Sequence, residues 1–420
     1  MKLVAFRNLE FLGRPLRFGK DLIVKRALDG IKVLDMGGYI AAPYCCMMLA
    51  DHGAEVIRVE PPGGKVDREL GPFAPDGQSM TCGLSYQRNK KNITLNLRTD
   101  KGRQILEELV KKTDILVHNS PKGTEEADVF NYERLSKVNP ALIVVAVSGF
   151  GQTGPYAQRP CFDVIAQAMS GIMSFTGYPG DPPLRPGLNF IDFNTGARAA
   201  LGAMLALHER YHSGVGQLVD VALFDVAFGM AAASGCASEY LVNGEIRKAV
   251  GNGGFYAYCC SARAKDGYVV MNIVGNSMWR RMCQILKRED MITDPRFKDN
   301  LARYRNYQDV DVVIEEWTKD KTIAEVMAIL DKAGLPCGPV NDVPASLKVP
   351  QVSAREMIVE LEYPESGIVP VPGVEIKLSR TPGCVARRAS LLGEDNDAIY
   401  SDVLGYNGAD LEKFKEQKII

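Results

Sequence analysis

The segment LNFIDFNTGARAALGAMLAL, Leu188 to Leu207, sets one carboxylate, Asp192, between an apolar run and a stretch of small residues. Such a group either starts a helix or reacts. Burial between Ile191 and Phe193 raises a carboxyl pKa unless N–H groups or a cation hold it ionised, and groups under that tension are often working ones. Asn194 and Thr195 stand next to a helix that begins near Gly196 and are better placed to cap it. That leaves Asp192 one turn early and free for chemistry. Three other aspartates compete. Asp163, in RPCFDVIAQAMSG, precedes a helical run and is placed to cap it. Asp220 and Asp225, in GQLVDVALFDVAFG, read as strand and helix-start residues.

Cations form the second group. Arg88, Lys90, Lys91 and Arg98 surround one strand in YQRNKKNITLNLRTDKGR, and Lys122 lies in the loop after the fourth strand. Two readings stay open: a solvated rim, or a site for a phosphorylated ligand gripped by Arg forks and Lys point charges. Arg98 and Lys122 both follow strand ends, where a parallel sheet builds its ligand crevice.

Other chemistries find no support. There is no Walker loop and no G-x-S-x-G elbow. The turn MGGYIAAP lacks G-x-G-x-x-G, which disfavours a nicotinamide cofactor even though Glu60 ends the second strand. The four histidines, His52, His118, His208 and His212, stand apart, and the i, i+4 pair His208/His212 reads as helix surface. The ten cysteines show no C-x-x-C pair and no zinc spacing, so no metal is expected and the thiols read as reduced. With no signal-peptide pattern at the start, a cytoplasmic location is expected. A net charge of −1 exerts no pull toward nucleic acid or anionic membrane. The run FGMAAASGCA is too short to span a bilayer.

The elements that must hold these residues follow from periodicity. A chain of 420 residues, 46% apolar, is expected to form two domains. IKVLDM (31–36), EVIRVE (55–60), NITLNL (92–97), DILVH and ALIVVAV read as strands. DKGRQILEELVKKT carries apolar residues at helical spacing. This alternation predicts an α/β fold with a doubly wound parallel sheet. GNGGFYAYCCSARAKDGYVVMNIVG then predicts a glycine cluster and a hairpin, with arms Tyr256–Ser261 and Tyr268–Ile273. Helical stretches follow, and IVELEY and VEIKL read as short strands before a charged final helix. The expected division is 1–225 for a large domain, 226–335 for a smaller one and 336–420 for a return to the first. Residues 1 to about 28 are expected to wrap the surface.

Four segments together resemble a known family. GIKVLDMGGYIAAPYCCMMLADHGAEVIRVEPPGG, SGFGQTGPYAQRPCFDVIAQAMSG, IDFNTGARAALGAMLALHERYHSGVGQLVDVALFD and GLPCGPVND are similar to the family III coenzyme A transferases, whose members include formyl-CoA, carnitine and bile-acid CoA transferases. The resemblance implies a Rossmann-like CoA-binding domain, a smaller α+β domain, and two copies interlocked as a homodimer. It implies Asp192 as nucleophile and CoA contacts at Tyr39, Ala41, Leu95, Arg98, Asn119, Lys122 and Asp163. Ala127 and Asp128 stand where the family often carries a further cation. Gly251, Gly253 and Gly254 read as a plain loop or as a lid over Asp192, and the resemblance favours the lid. Racemases on the same fold need a His–Asp pair, and Phe162 stands at the histidine position, so proton exchange is disfavoured.

The implied reaction moves CoA from an acyl-CoA thioester to a free carboxylic acid through aspartyl anhydride and aspartyl-CoA intermediates. It needs no permanently bound cofactor. N–H donors for the carboxylate and the oxyanions are expected from GFGQTG or GNGG. A hydrolase on the same scaffold and a non-catalytic CoA-binding subunit are the alternatives. Phe150, Phe162, Met169, Phe175, Tyr178 and Phe190 are candidates for an apolar acyl pocket. YLVNGE and FYAYCC look nearer to the carnitine and bile-acid members than to the formyl one.

Overall fold

The computed structural model describes residues 25–420; most of the amino-terminal stretch expected to wrap the surface lies outside them. The chain divides into two compact units. The larger comprises the described part of Met1–Ala166, with Asn189–Gly229 and Val349–Ile420. The smaller comprises Gln167–Leu188 and Met230–Lys348. The main changeovers fall at Gly229–Met230 and Lys348–Val349, against the 225–226 and 335–336 expected from the sequence pattern.

The larger unit runs β1 (Lys32–Asp35), α1 (Ala41–Asp51), β2 (Glu55–Glu60), β3 (Lys90–Thr94), α2 (Asp100–Val110), β4 (Ile115–His118), α3 (Glu125–Val129), α4 (Tyr132–Val138), β5 (Ile143–Ser148), α5 (Asp163–Met169), α6 (Phe190–Ser213), β6 (Leu218–Ala222) and α7 (Leu223–Ala233), with α5 and α7 each crossing into the smaller unit. The six strands form one wholly parallel sheet in the order β3-β2-β1-β4-β5-β6. Strands covered on both faces must be apolar throughout, and ILVH and IVVAVS are buried along almost their whole length. The strand order reverses between β1 and β4, and loops at such a point open a crevice at the carboxyl ends of the strands.

Two strand expectations need correction. The third strand is Lys90–Thr94 rather than Asn92–Leu97. Past Leu95 the chain turns, because Asn96 Oδ1 accepts the Arg98 N–H and Thr99 caps α2. VEIKL forms no strand; IVELEY pairs instead with Gly367–Pro372. Pro370 and Pro372 lie two apart, so both missing N–H groups face one side. A two-stranded sheet leaves that side unpaired.

The edge of β3 is covered by the returning carboxyl-terminal chain. The N–H groups of Asn92 and Thr94 donate to Asp395 Oδ2 and Asn396 Oδ1 at 2.8 and 2.9 Å. Leu411 and Phe414 of the last helix join the core beneath α2 and the sheet. Capping an open edge in this way removes a template for unwanted strand pairing.

The smaller unit holds a three-stranded antiparallel sheet of Tyr258–Ala264, Gly267–Ile273 and Cys337–Pro339. Helices Gly275–Leu286, Tyr307–Thr318 and Ile323–Lys332 pack on it around Trp279, Phe297, Ile314 and Leu330. It is α+β. The hairpin expected from sequence is present, displaced by two residues at the start of its first arm. All ten cysteines are free, and five of them are buried. Among the described residues no helix is long and apolar enough to cross a membrane.

Candidate active site

The amino-terminal end of α6 is fixed by two kinds of contact. One is close helix packing. A Cβ on Gly196 would stand 2.5 Å from the carbonyl oxygen of Ala41, so only glycine lets α6 approach α1 there. Ala199, Ala203 and Ala206 continue the small, buried face of the helix. The other contact is a cap supplied from elsewhere in the chain. Asp163 Oδ2 accepts the N–H of Ile191 at 2.8 Å and of Asp192 at 3.0 Å. First-turn N–H groups need partners, and a carboxylate there also suits the helix dipole.

This overturns the local reading of the helix start. α6 begins at Phe190, not near Gly196, so Asp192 lies inside its first turn. Neither Asn194 nor Thr195 caps it: Asn194 Nδ2 donates to the Phe190 carbonyl, and Thr195 is buried. Asp163 reaches across to the start of α6 as well as opening its own helix.

Asp192 sits among groups that feel its charge. Burial, and then the Asp163 carboxylate, push its pKa up to about 7. Cys161 on one flank is raised to about 11, chiefly by burial and then by Asp192. Tyr86 and Cys82 are raised by burial, with Asp192 contributing. Tyr86, Tyr44 and Phe193 meet edge to face, with centroids 5.1–6.3 Å apart, and make an aromatic wall beside the carboxylate.

A carboxylate attacks only when ionised, so with Asp192 in the nucleophile's part that the resemblance implies, its pKa sets a pH limb. The kcat/KM of the free enzyme is expected to rise with pH and reach half its plateau near pH 7, with about a tenth of the plateau at pH 6. Asp163→Asn keeps an oxygen that can cap α6 but removes the neighbouring charge. Its limb should move toward lower pH, which a role in helix capping alone does not produce. A pH–rate profile of both proteins checks this.

The crevice at the strand reversal is built by the loops after β1 and β4. Gly38 and Asn119 bond reciprocally: the Gly38 N–H donates to Asn119 Oδ1 at 2.9 Å, and Asn119 Nδ2 donates to the Gly38 carbonyl at 2.8 Å. Tyr39 follows with φ of 60°, a conformation that costs a bulky side chain on the order of 1 kcal/mol. Its N–H donates to Asp67 Oδ2 at 2.9 Å. Arg58 Nη2 in turn holds both oxygens of Asp67 at 3.0 Å. Lys65 Nζ donates to the carbonyls of Met36 and Gly37. Ala41 is buried at the start of α1, and Leu95 is buried behind β3 with its N–H on the Glu60 carbonyl. Arg98 is exposed on the loop after β3. Lys122, on the loop after β4, donates to the Gln152 carbonyl of the loop after β5.

Two members of the basic run around β3, Arg88 and Lys90, are buried in ion pairs rather than free for a phosphate. Arg88 pairs with Asp51 at 2.7 Å and Lys90 with Asp35 at 2.7 Å, all four side chains buried. Lys91 pairs with Glu55 at 2.6 Å. Lys90 and Lys91 sit at the beginning of their strand, away from the ligand edge. Glu60, where a ribose-binding acid would fall, accepts from Arg58, Arg68, Asn92 and the Lys65 N–H. Its oxygens are engaged by protein.

Residues 28–396 match the profile of CoA-transferase family III. The chain belongs to this family. It is 35% identical over 403 residues to the succinyl-CoA–D-citramalate CoA-transferase of Chloroflexus aurantiacus, covering 94% of this chain and 98% of that protein. It is 33% identical to the human succinyl-CoA:glutarate CoA-transferase, covering 94% and 89% of the two chains. A crystal structure of a CaiB/BaiF family protein from Brucella suis superposes with a TM-score of 0.78 at 32% identity, over 90% of this chain and all of that one (100%). The protein is therefore a CoA-transferase, an enzyme that moves CoA between an acyl-CoA thioester and an acid.

Within this family III enzyme the structure places Asp163 and Asp192 together, and Tyr39 and Asn119 together, while Arg98 and Lys122 stand on separate loops. The N–H groups of Gly151 and Gln152, in GFGQTG, donate to Ser148 Oγ and Asp220 Oδ2 at 2.9 and 2.8 Å. These two amides are occupied, and Asp220 is a brace for that loop. Asp225 lies in the first turn of α7, as its sequence setting suggests. In the smaller unit, the Gly251 N–H donates to the Gly177 carbonyl at 2.8 Å, and a Cβ on Gly251 would stand 2.7 Å from the Tyr178 ring. Gly253 and Gly254 follow in the same stretch, and a Cβ on Gly254 would meet the Ala257 carbonyl at 2.7 Å. Phe162 is exposed, with its ring against Tyr39. Sequence reasoning did not single out Arg58, Asp67, Cys82 or Tyr86. A charge inside EVIRVE, a strand covered on both faces, was the available signal for Arg58.

Proposed function

We propose that this enzyme transfers CoA between dicarboxylic acids, with Asp192 as the covalent nucleophile. The observation that carries the reading is the carboxylate of Asp192 at the start of α6, its N–H held by Asp163 and its acid form favoured by burial. A pKa of about 7 leaves enough carboxylate for attack at neutral pH and makes it a stronger nucleophile than a solvated acid.

The Asp192 carboxylate attacks the acyl carbonyl of the donor thioester. The C–S bond breaks, leaving a mixed anhydride and the CoA thiolate. The thiolate attacks the aspartyl carbonyl, forms aspartyl-CoA and releases the donor acid. The acceptor carboxylate attacks that thioester and expels the thiolate again, giving a second anhydride. The thiolate then attacks the acceptor carbonyl, forms the product thioester and frees Asp192. One difficult exchange is split into easier ones, and thioester energy is retained throughout. Tyr39, Ala41, Leu95, Asn119 and Asp163 line the CoA path, and Arg98 and Lys122 supply phosphate contacts. Their parent strands, β3 and β4, are three positions apart in the sheet, roughly 14 Å, so the two cations serve different phosphates. Gly251, Gly253 and Gly254 serve as a lid for the reaction.

Both named relatives use succinyl-CoA, and their acceptors, citramalate and glutarate, are dicarboxylic acids. This favours a dicarboxylate acceptor over carnitine or a bile acid. The enzyme incubated with succinyl-CoA and single acceptors is expected to form citramalyl-CoA or glutaryl-CoA, read by liquid chromatography, and no thioester of carnitine or cholate. CoA release that does not depend on the acceptor would make the protein a hydrolase. A binding subunit would form no product at all. Leu201, Leu205 and Tyr211 on α6, and Leu241 and Val242 near Asn243, are exposed apolar side chains. They support a second copy of the chain as their cover, in an interlocked homodimer.

A further inference from the structure

Tyr39 and Phe162 are two large aromatic residues that neither enter a core cluster nor carry any of the bonds made or broken in transfer. Tyr39 is 39% exposed and Phe162 58% exposed. Their rings meet edge to face, centroids 5.5 Å apart at 79°. Exposed aromatic side chains are often single and unconstrained. This pair is not, because the protein maintains Tyr39 in the left-handed region to present it. Asp67 holds its N–H, Arg58 holds Asp67, Asn119 clamps Gly38 before it, and buried Ala41 anchors the chain after it. Strain imposed from several sides at an exposed residue points to a task for that residue.

Phe162 is placed as closely. Cys161 before it feels the Asp192 charge, and the carboxylate of Asp163 after it accepts the Asp192 N–H. Phe162 O also accepts the N–H groups of Ile165 and Ala166, so its backbone is fixed into α5. The ring pair thus adjoins the start of α6 on one side and the strand-reversal crevice on the other.

We propose that Tyr39 and Phe162 form a water gate for the transfer reaction, closing on the pantetheine end of the thioester so that the acceptor carboxylate, not water, reaches the aspartyl carbonyl. The proposal rests on the transferase reading above. Its chemistry is the competing loss. Water adding to the aspartyl carbonyl forms a C–O bond and breaks the C–S bond; the CoA thiolate takes one proton, the other is released, and Asp192 is regenerated with no product thioester. Water is far more concentrated than any acceptor acid, so a transferase must exclude it physically.

The test is the partition between the two fates. Wild type, Phe162→Ala, Phe162→Leu and Tyr39→Gly are each given succinyl-CoA and saturating glutarate, and free CoA and glutaryl-CoA are measured together. Glycine adopts the Tyr39 backbone without strain, and Phe162 is largely exposed, so thermal midpoints should stay near wild type. Phe162→Ala and Tyr39→Gly are expected to raise free CoA per glutaryl-CoA by about tenfold or more, and Phe162→Leu to restore most of the wild-type ratio. Ratios within about twofold of wild type in both truncations, whatever happens to turnover, overturn the gate while transfer stands. A wild type that forms no product thioester from any dicarboxylate overturns the transferase reading and the gate with it.

Discussion

Asp192→Ala is expected to lower kcat for CoA transfer by about four decades, which corresponds to about 5 kcal/mol of barrier. The reason is that no other group near the start of α6 can take its part. Asp163 is buried with one oxygen committed to the N–H groups of Ile191 and Asp192, and Cys161 is held protonated at neutral pH by burial and the Asp192 charge. CoA itself should bind the variant about as well as wild type, since the proposed CoA contacts at Tyr39, Arg98, Asn119 and Lys122 are untouched; calorimetry with CoA separates binding from chemistry. Hydroxylamine added during turnover should modify the Asp192 peptide of the wild type, as read by mass spectrometry, and modification of Asp163 would reassign the nucleophile. The variant should also gain stability at high pH. A carboxyl whose folded pKa lies near 7 and whose unfolded pKa is about 3.9 favours folding only when protonated, so its contribution falls as pH rises between those values. Removing it relieves that penalty at pH 8 and changes little at pH 4.

That carboxylate shows what can and cannot be read from a chain. Its residue type and apolar neighbours singled it out, yet the local argument about the helix start failed. Capping logic looks three or four residues away, and the cap of α6 comes from Asp163, 29 residues upstream. The parallel sheet was legible because strands covered on both faces are short apolar runs, and β4 and β5 read directly as such. Strand order was not legible, and neither was the meeting of Gly38 with Asn119 that the reversal between β1 and β4 produces. The part played by Arg88 and Lys90 was not legible for a related reason. A charge sequence cannot show its partners, and Asp35 and Asp51 lie 55 and 37 residues from the cations they neutralise. Tyr39 stood out through family resemblance alone. Its backbone conformation depends on Asp67, 28 residues downstream, to which no spacing rule connects it.

The network beneath Tyr39 carries the second large effect. Arg58 is buried in β2 with Nε on Glu60 and Nη2 on Asp67, and both carboxylates are buried as well. Burial alone would raise the Glu60 pKa, but Arg58 and Arg68 override it and hold the carboxyl far below its ordinary range. Arg58→Ala leaves Asp67 without its cation and Glu60 with Arg68 alone. Breaking one member of a buried ionic group typically costs about 3–5 kcal/mol, because the remaining charge stays desolvated. A loss of that size should appear as a lower urea midpoint at pH 7. The gap should close in acid. A depressed folded pKa stabilises above the unfolded value and is lost as pH falls toward the folded one, so below about pH 4 wild type surrenders the advantage that the variant never had. Arg58→Lys should recover only part of the loss, since an ammonium cannot bridge both carboxylates with the fixed fork of a guanidinium. Because Asp67 also holds the Tyr39 N–H, the alanine variant should weaken CoA binding at temperatures where it is still folded. A stability change with CoA affinity intact would separate the ion network from the crevice above it.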